Sequence, residues 1–416
     1  MNNTQRILIM AAGTGGHVFP ALAVARRLQA KGAQVEWMAS EHGMENKLLH
    51  QSGITLHRIA VSGLQGKGLM RKLAAPAMLL RALFQSLSVL RRLRPACVLG
   101  MGGYISGPGG VAARLLGIPL VLHEQNAVPG FTNARLQRSA TLVLEAFAGT
   151  FAASGKGRHT GNPLRQDISR LHGSLKRDYL VTPPATPAAK PATPSATTTA
   201  TDHTTISLRI LVLGGSLGAR VLNETVPDTL RDWQGDSPPY IWHQTGSSAY
   251  KETVRRYTEN NLTDSSRFRI DPFIDDMAEA YSWADLAVCR AGASTVSELA
   301  AVRLPSILVP YPHHRDKQQL HNARWLCRVG AGRLLEQQQL NATTLLDCLR
   351  ELDANRSLLQ TMSKQAGVLA ILDADERIAD CCLEAGRNTD LMTNPQASRN
   401  TNKGTTQETN REAPRG

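Results

Sequence analysis

The stretch RILIMAAGTGG, Arg6 to Gly16, recurs as RILVLGGSLGA, Arg209 to Ala219, aligned without a gap. Each copy is a charged residue, an apolar run and a turn of small residues that opens a helical pattern. Such a turn lets backbone N–H groups at a helix N-terminus approach a phosphate, as in the opening of a nucleotide-binding α/β unit. A chain of 416 residues is too long for one core. The repeat therefore predicts an α/β protein of two Rossmann-like domains facing each other across a cleft.

The rest of the chain fits that expectation. Apolar runs at Arg6–Met10, Gln34–Met38, Ala96–Leu99, Leu120–Leu122 and Thr141–Leu144 alternate with amphipathic segments, the pattern of a parallel sheet covered by helices. The alternation resumes at Leu208–Leu213, Tyr240–Gln244, Phe268–Asp271, Leu286–Cys289, Ser306–Val309 and Ala331–Leu335. Between the halves, residues 178–205 are so rich in Pro, Thr and Ala that they cannot build a core, and a disordered insertion is expected. The domains are accordingly placed at 1–165 and 206–370. A last helical stretch over 371–387, clearest from Asp373 to Ala385, is expected to cross back to the first domain. The polar tail 388–416 is expected to be disordered.

Cysteine usage and charge narrow the class. The six cysteines show no CxxC spacing, so neither a zinc site nor a disulfide framework is indicated, and a reducing, cytoplasmic compartment is expected. The polar start Met1–Gln5 does not read as a signal peptide, and no segment approaches the ~20 apolar residues of a membrane span. The net charge of +13 is uneven: residues 1–165 hold 19 Lys and Arg against 5 Asp and Glu, and the remainder 28 against 29. A field concentrated on the first domain points to an anionic surface such as acidic lipid or nucleic acid.

Polar and glycine-rich clusters follow successive strands. AAGTGGH at Ala11–His17 precedes the helix expected over Phe19–Ala30, with Pro20 near its first turn, and its glycines do not follow the dinucleotide G-x-G-x-x-G spacing. GMGGYISGPGG, Gly100 to Gly110, reads as a second anion cradle, and HEQN, His123 to Asn126, follows the strand ending at Leu122. In the second half, GGSLGA at Gly214–Ala219 and CRAGASTVSE at Cys289–Glu298 suit loops that grip a nucleotide, with Glu298 placed to accept two ribose hydroxyls. Asp275 and Asp276 diverge along the chain and lack a third ligand, so helix capping rather than metal binding is expected.

Taken with GNPLR (Gly161–Arg165), FIDDM and HHRDKQQ, these motifs closely resemble, in order from about Arg6 to Ala385, the MurG family of bacterial UDP-N-acetylglucosamine transferases. The resemblance implies the GT-B fold and an inverting transfer of GlcNAc from UDP-GlcNAc to the 4-hydroxyl of the MurNAc of lipid I, giving lipid II. No cofactor and no obligatory metal are implied. Donor contacts carry over to Thr14, Gly15, Gly16 and Asn126, to Arg165, Ser216 and Ile274, to Ala293, Ser294, Thr295, Val296, Ser297 and Glu298, and to Gln318 and Gln319. Glu298 would take the ribose, the Ile274 backbone the uracil edge, and Gln318 or Gln319 the sugar. His17, Tyr104 and Glu124 would face the acceptor, His17 being the first choice for base or orienting group and Glu124 its rival.

Lipid I lies in the cytoplasmic leaflet of the inner membrane, so peripheral attachment there is implied, together with association with other wall-synthesis and division proteins. Residues 64–94 offer Leu73, Leu80 and Leu83 beside Lys67, Arg71, Lys72 and Arg81, an amphipathic surface for anionic lipid. The family pattern is broken at Ala12, usually glycine, and Leu217, usually glutamine. Another GT-B enzyme, such as a lipid glycosyltransferase or a UDP-GlcNAc epimerase, is the nearest enzymatic rival. A basic RNA-binding protein is supported by charge alone and lacks aromatic stacking motifs, so no nucleic-acid partner is expected.

Overall fold

Short apolar strands whose two faces are both covered by helices build this chain. The computed structural model describes residues 4–13, 15–41, 43, 45–50, 52–61, 69–175, 179, 207–215, 218–233, 238–314 and 316–393. They divide into two units, one from Met1–Gln125, Pro129–Pro163 and Asp373–Gly416, the other from Asn126–Val128 and Leu164–Leu372.

In the first unit the chain runs β1 (Arg6–Met10), α1 (Gly15–Ala30), β2 (Gln34–Ser40), α2 (Glu45–Leu48), β3 (Thr55–Ile59), α3 (Leu69–Leu93) and β4 (Cys97–Gly100). It continues through α4 (Ser106–Leu115), β5 (Leu120–Glu124), α5 (Phe131–Leu136), β6 (Leu142–Glu145) and β7 (Gly157–His159). All pairings are parallel, in the order β3-β2-β1-β4-β5-β6-β7. Side chains of β1 alternate between two cores. Ile7 and Ile9 pack with Val24 and Leu28 of α1, whereas Leu8 and Met10 pack with Leu90 of α3 and Ala112 of α4.

The second unit begins with α6 (Gln166–Ser169) and runs β8 (Arg209–Leu213), α7 (Arg220–Arg231), β9 (Tyr240–Gln244), α8 (Tyr250–Glu259), β10 (Phe268–Asp271), α9 (Met277–Trp283) and β11 (Leu286–Cys289). Then follow α10 (Ala293–Ala301), β12 (Ser306–Leu308), α11 (Gln318–Cys327), β13 (Gly332–Leu334), α12 (Ala342–Ala354) and α13 (Arg356–Val368). Its sheet is also parallel, in the order β10-β9-β8-β11-β12-β13. Arg209 fixes the start of β8, its guanidinium reaching both carboxylate oxygens of Asp285 at 2.8 and 3.0 Å.

In both sheets the order reverses beside the first strand of the repeat, at β1/β4 and β8/β11. This is the switch point at whose carboxyl ends open α/β sheets bind ligands. The final helix, α14 (Ala374–Thr393), belongs to the first unit, where Ile378, Ala379, Cys382 and Ala385 enter the core beside α1. Salt bridges join the two helices, Arg27 to Asp375 at 3.1 Å and Lys31 to Asp380 at 2.7 Å.

Several details differ from the sequence reading. Helix α1 starts at Gly15 rather than Phe19, because its two leading glycines accept helical geometry, and Pro20 therefore lies inside it. The first unit ends at Pro163, short of the expected 165, so Arg165 belongs to the second. Helix α14 runs to Thr393, past the expected start of the tail at 388. Tyr179, expected within the insertion, is a core residue of the second unit: it is buried, and its hydroxyl donates to the Asp285 carbonyl at 3.2 Å. The other residues of 178–205, and the tail from 394, lie outside the described residues.

Candidate active site

At the switch point of the first unit, the loop after β1 meets the loop after β4. The Trp37 indole N–H donates to the Ala11 carbonyl at 3.0 Å and fixes the first of these loops. Ala12, where the resemblance leads to an expected glycine, is buried and is not among the residues of positive φ, so a methyl group is accommodated there. Gly103 could not be replaced so easily. Its φ is +78°, and a Cβ would stand 2.3 Å from the Ala12 carbonyl oxygen. Gly102, at φ +88°, lies under the His17 imidazole, where a Cβ would come within 3.1 Å of the ring.

His17, in the first turn of α1, is half-buried, and its Nδ1 lies 3.0 Å from Gln125 Oε1. Gly15 and Gly16 form the start of the same helix, and Thr14 lies outside the described residues. Tyr104 donates its hydroxyl to Ser40 Oγ at 3.2 Å. Glu124 is placed differently. It is buried, and one of its oxygens accepts from the Gly130 N–H at 3.0 Å and from Asn133 Nδ2 at 2.9 Å, holding the start of α5.

The second unit gathers the residues assigned to a donor. Helix α10 begins at Ala293, its N-cap Gly292 following β11 closely enough to aim the first N–H groups at the carboxyl edge of the sheet. Ala293 and Val296 are buried, Ser294 and Thr295 half-buried, and Ser297 donates back to the Ala293 carbonyl at 2.9 Å. Ser294 Oγ is buried and has no hydrogen-bond partner among the described residues.

Glu298 accepts from the Tyr281 hydroxyl at 2.8 Å, and its other oxygen lies 4.0 Å from Arg165 Nε. Burial raises the Glu298 carboxyl above its ordinary range, opposed by the Arg165 charge and then by the Tyr281 hydrogen bond. Arg165 reaches this position because α6, which it caps, packs on α10.

Gln318 and Gln319 open α11 after Lys317, which stands at φ +50°, and Gln319 Oε1 accepts from the Tyr311 N–H at 2.9 Å. Asn126 is tied to that helix by Asn322, whose amide nitrogen donates to Asn126 Oδ1 at 3.2 Å while its oxygen accepts from the Ala127 N–H at 2.9 Å. Ile274 is buried in the loop after β10. Asp276 caps α9, accepting from the Glu279 N–H at 2.8 Å. Ser216 and Leu217 lie outside the described residues. Among the described residues, no group of three or more His, Cys, Asp or Glu side chains could hold a metal ion.

Sequence reasoning passed over Gln125, Tyr281 and Asn322. The first was visible inside HEQN; the others have no local signal, because tertiary packing alone brings them to Glu298 and Asn126.

Comparison with known proteins shows the family. The glycosyltransferase family 28 N-terminal domain matches residues 7–145, and the family 28 C-terminal domain residues 209–378. A UDP-N-acetylglucosamine–N-acetylmuramyl-(pentapeptide) pyrophosphoryl-undecaprenol N-acetylglucosamine transferase of Methylococcus capsulatus is 47% identical, the match covering 91% of this chain and 98% of the relative. The one of Pseudomonas paraeruginosa is 48% identical, over 92% and 99%. The crystal structure of Acinetobacter baumannii MurG aligns with a TM-score of 0.71 at 38% identity, over 91% of this chain and 99% of that one. The glycosyltransferase of kitacinnamycin, at 14% identity and a TM-score of 0.64, shares the fold alone. This chain therefore belongs to glycosyltransferase family 28 and, within it, to the MurG family.

Proposed function

We propose that this chain transfers GlcNAc from UDP-GlcNAc to the 4-hydroxyl of the MurNAc of lipid I, with inversion, forming lipid II for peptidoglycan synthesis. One observation carries the reading: relatives bearing that transferase's name match at 47 and 48% identity over nearly their whole length. The placement of its motifs at the two switch points supports it.

In the second unit, Glu298 takes the ribose hydroxyls, the Ile274 backbone the uracil edge, and Gln318 or Gln319 the sugar. Asn126, Arg165, the first turn of α10 from Ala293 to Ser297, and Ser216 complete the donor contacts, with Thr14, Gly15 and Gly16 from the first unit. Tyr104 serves the acceptor. His17 Nε2 takes the proton of the acceptor hydroxyl as its oxygen attacks C1 of GlcNAc. The bond from C1 to the β-phosphate oxygen breaks, and its electron pair leaves on UDP. Helix N-terminal amides and the Arg165 charge stabilise that diphosphate.

His17 is preferred to Glu124 as the base because its Nε2 has no partner among the described residues, whereas Glu124 already accepts two hydrogen bonds. His17→Ala should lower kcat by about 10²- to 10⁴-fold, the usual contribution of a general base, with the KM for UDP-GlcNAc little changed. Near-normal turnover in steady-state assays would remove His17 from the reaction. The activity itself is tested with radiolabelled UDP-GlcNAc and a lipid I analogue. Labelled disaccharide product supports the reading; absence of transfer, or epimerisation of the donor without acceptor, overturns it.

Attachment to the cytoplasmic face of the inner membrane belongs to the same proposal. No helix among the described residues is long and apolar enough to cross a membrane. Helix α3 exposes Leu79, Leu80 and Phe84 beside Arg81, as an amphipathic surface for anionic lipid requires. Leu83, expected on that surface, instead packs against the core, while Lys67 and the side chains of Arg71, Lys72 and Leu73 lie outside the described residues. Co-sedimentation with vesicles should rise with anionic lipid and fall in Leu80→Glu. Insensitivity to both would refute the membrane surface.

A further inference from the structure

His123 is a buried histidine that the reaction above does not use, yet it is joined to His17 through Gln125. His123 Nε2 lies 2.9 Å from the Gly161 carbonyl oxygen. A carbonyl only accepts, so Nε2 carries a proton. Burial pushes the His123 imidazole down to about 4, which keeps it neutral near pH 7 and leaves Nδ1 as an acceptor.

The amide nitrogen of Gln125 lies 3.1 Å from that Nδ1 and 3.4 Å from the carbonyl oxygen of His123. Both are acceptors, so the amide orientation is fixed twice over. The Gln125 oxygen is thereby turned to His17 Nδ1, 3.0 Å away. An amide oxygen cannot donate, so Nδ1 of His17 must.

We propose that Gln125, held by His123 and the Gly161 carbonyl, is a positioning residue that fixes His17 as the Nδ1–H tautomer and leaves the Nε2 lone pair to receive the acceptor proton. The contact ties α1 to the loop after β5 and also has a fixed direction. It runs a single way from a backbone carbonyl to the imidazole, the arrangement by which a second partner selects which ring nitrogen is basic. Its catalytic consequence rests on the role given to His17 above; the tautomer does not.

Long-range proton–nitrogen correlation spectra of the full chain labelled with ¹⁵N-histidine, near pH 8, read the tautomer directly. The His17 signals are assigned by their loss in His17→Gln. Nδ1 is expected to be of the protonated type and Nε2 of the unprotonated type. A wild-type spectrum with the proton on Nε2 overturns the proposal without recourse to any variant.

Gln125→Met should convert that spectrum to a tautomer mixture and lower kcat by roughly 10- to 100-fold, the range for groups that orient a functional histidine, with the KM for UDP-GlcNAc unchanged. Wild-type kcat and spectrum in Gln125→Met overturn the relay. Full turnover in His17→Ala with the spectrum as deduced overturns instead the use of His17 as base, so the two failures are distinguishable.

Discussion

The contact between Tyr281 and Glu298 sets a hydrogen bond against the cost of burying a carboxyl group. Burial raises the Glu298 carboxyl, and the phenol hydrogen bond at 2.8 Å works against that rise. In Tyr281→Phe the hydrogen bond to the Glu298 carboxyl is lost, worth about 1.5–3 kcal/mol where that carboxyl is charged. If Glu298 holds the ribose, initial rates should show the KM for UDP-GlcNAc raised by roughly 10-fold or more, with kcat much less affected. An unchanged KM in both Tyr281→Phe and Glu298→Gln would remove this pair from donor binding. Glu298 was legible in the sequence because it follows a strand and a run of small residues. Tyr281 was not, since nothing in the pattern of α9 shows which of its residues meets α10. Asn322 escaped for the same reason, standing 196 positions from the Asn126 it holds.

At the scale of elements, the central strands of both sheets and the edges of the second, β10 and β13, were readable, and the edges of the first were not. In β1, β4, β5, β8 and β11 nearly every residue is buried, which produces the unbroken apolar runs that mark a doubly covered parallel sheet. The edge strands of the first sheet lack that signal: Thr55 of β3 and all three residues of β7 are exposed, and neither strand was anticipated. The loops are constrained unequally as well. Gly103 and Gly117 both have positive φ, at +78° and +66°, but a Cβ at Gly117 meets nothing within 4 Å whereas one at Gly103 would strike the Ala12 carbonyl. Gly117→Ala should therefore cost only the backbone strain of about 1–2 kcal/mol. Gly103→Ala must also part the two loops that position His17, and both its melting temperature and its turnover should fall further. Equal melting temperatures for the two variants would show that the loops do not depend on this approach.

Among the described residues each unit buries one neutral histidine, and this makes the response of the whole molecule to acid predictable. In the first unit His123 is lowered from 6.5 to about 4 by burial; in the second, burial lowers His243 from 6.5 to about 3. His243 is held between the Tyr257 hydroxyl, 3.0 Å from Nδ1, and Asn223 Oδ1, 3.1 Å from Nε2. Both folded values lie below the unfolded one, so unfolding takes up a proton at each site once the pH drops below about 6.5. The contribution of each histidine is complete above that pH and is lost as the pH falls from there towards the folded value, at about 1.4 kcal/mol per pH unit. Ordinary carboxylates begin to titrate only near pH 5, but burial raises Glu298 and Asp353 of the second unit, so the histidine there is read from the difference between wild type and variant. Two units need not unfold together, so one melting curve is a poor reporter, and hydrogen exchange of amides in β5 and β9 separates them. The β5 set should lose protection with one-proton steepness as the pH falls from 6.5 to 5. In His243→Gln, whose amide can still donate to Asn223 and accept from Tyr257, the steepness should fall by one proton for β9 and stay the same for β5. Unaltered steepness at β9 in this variant would mean that His243 is not the group taking up the proton.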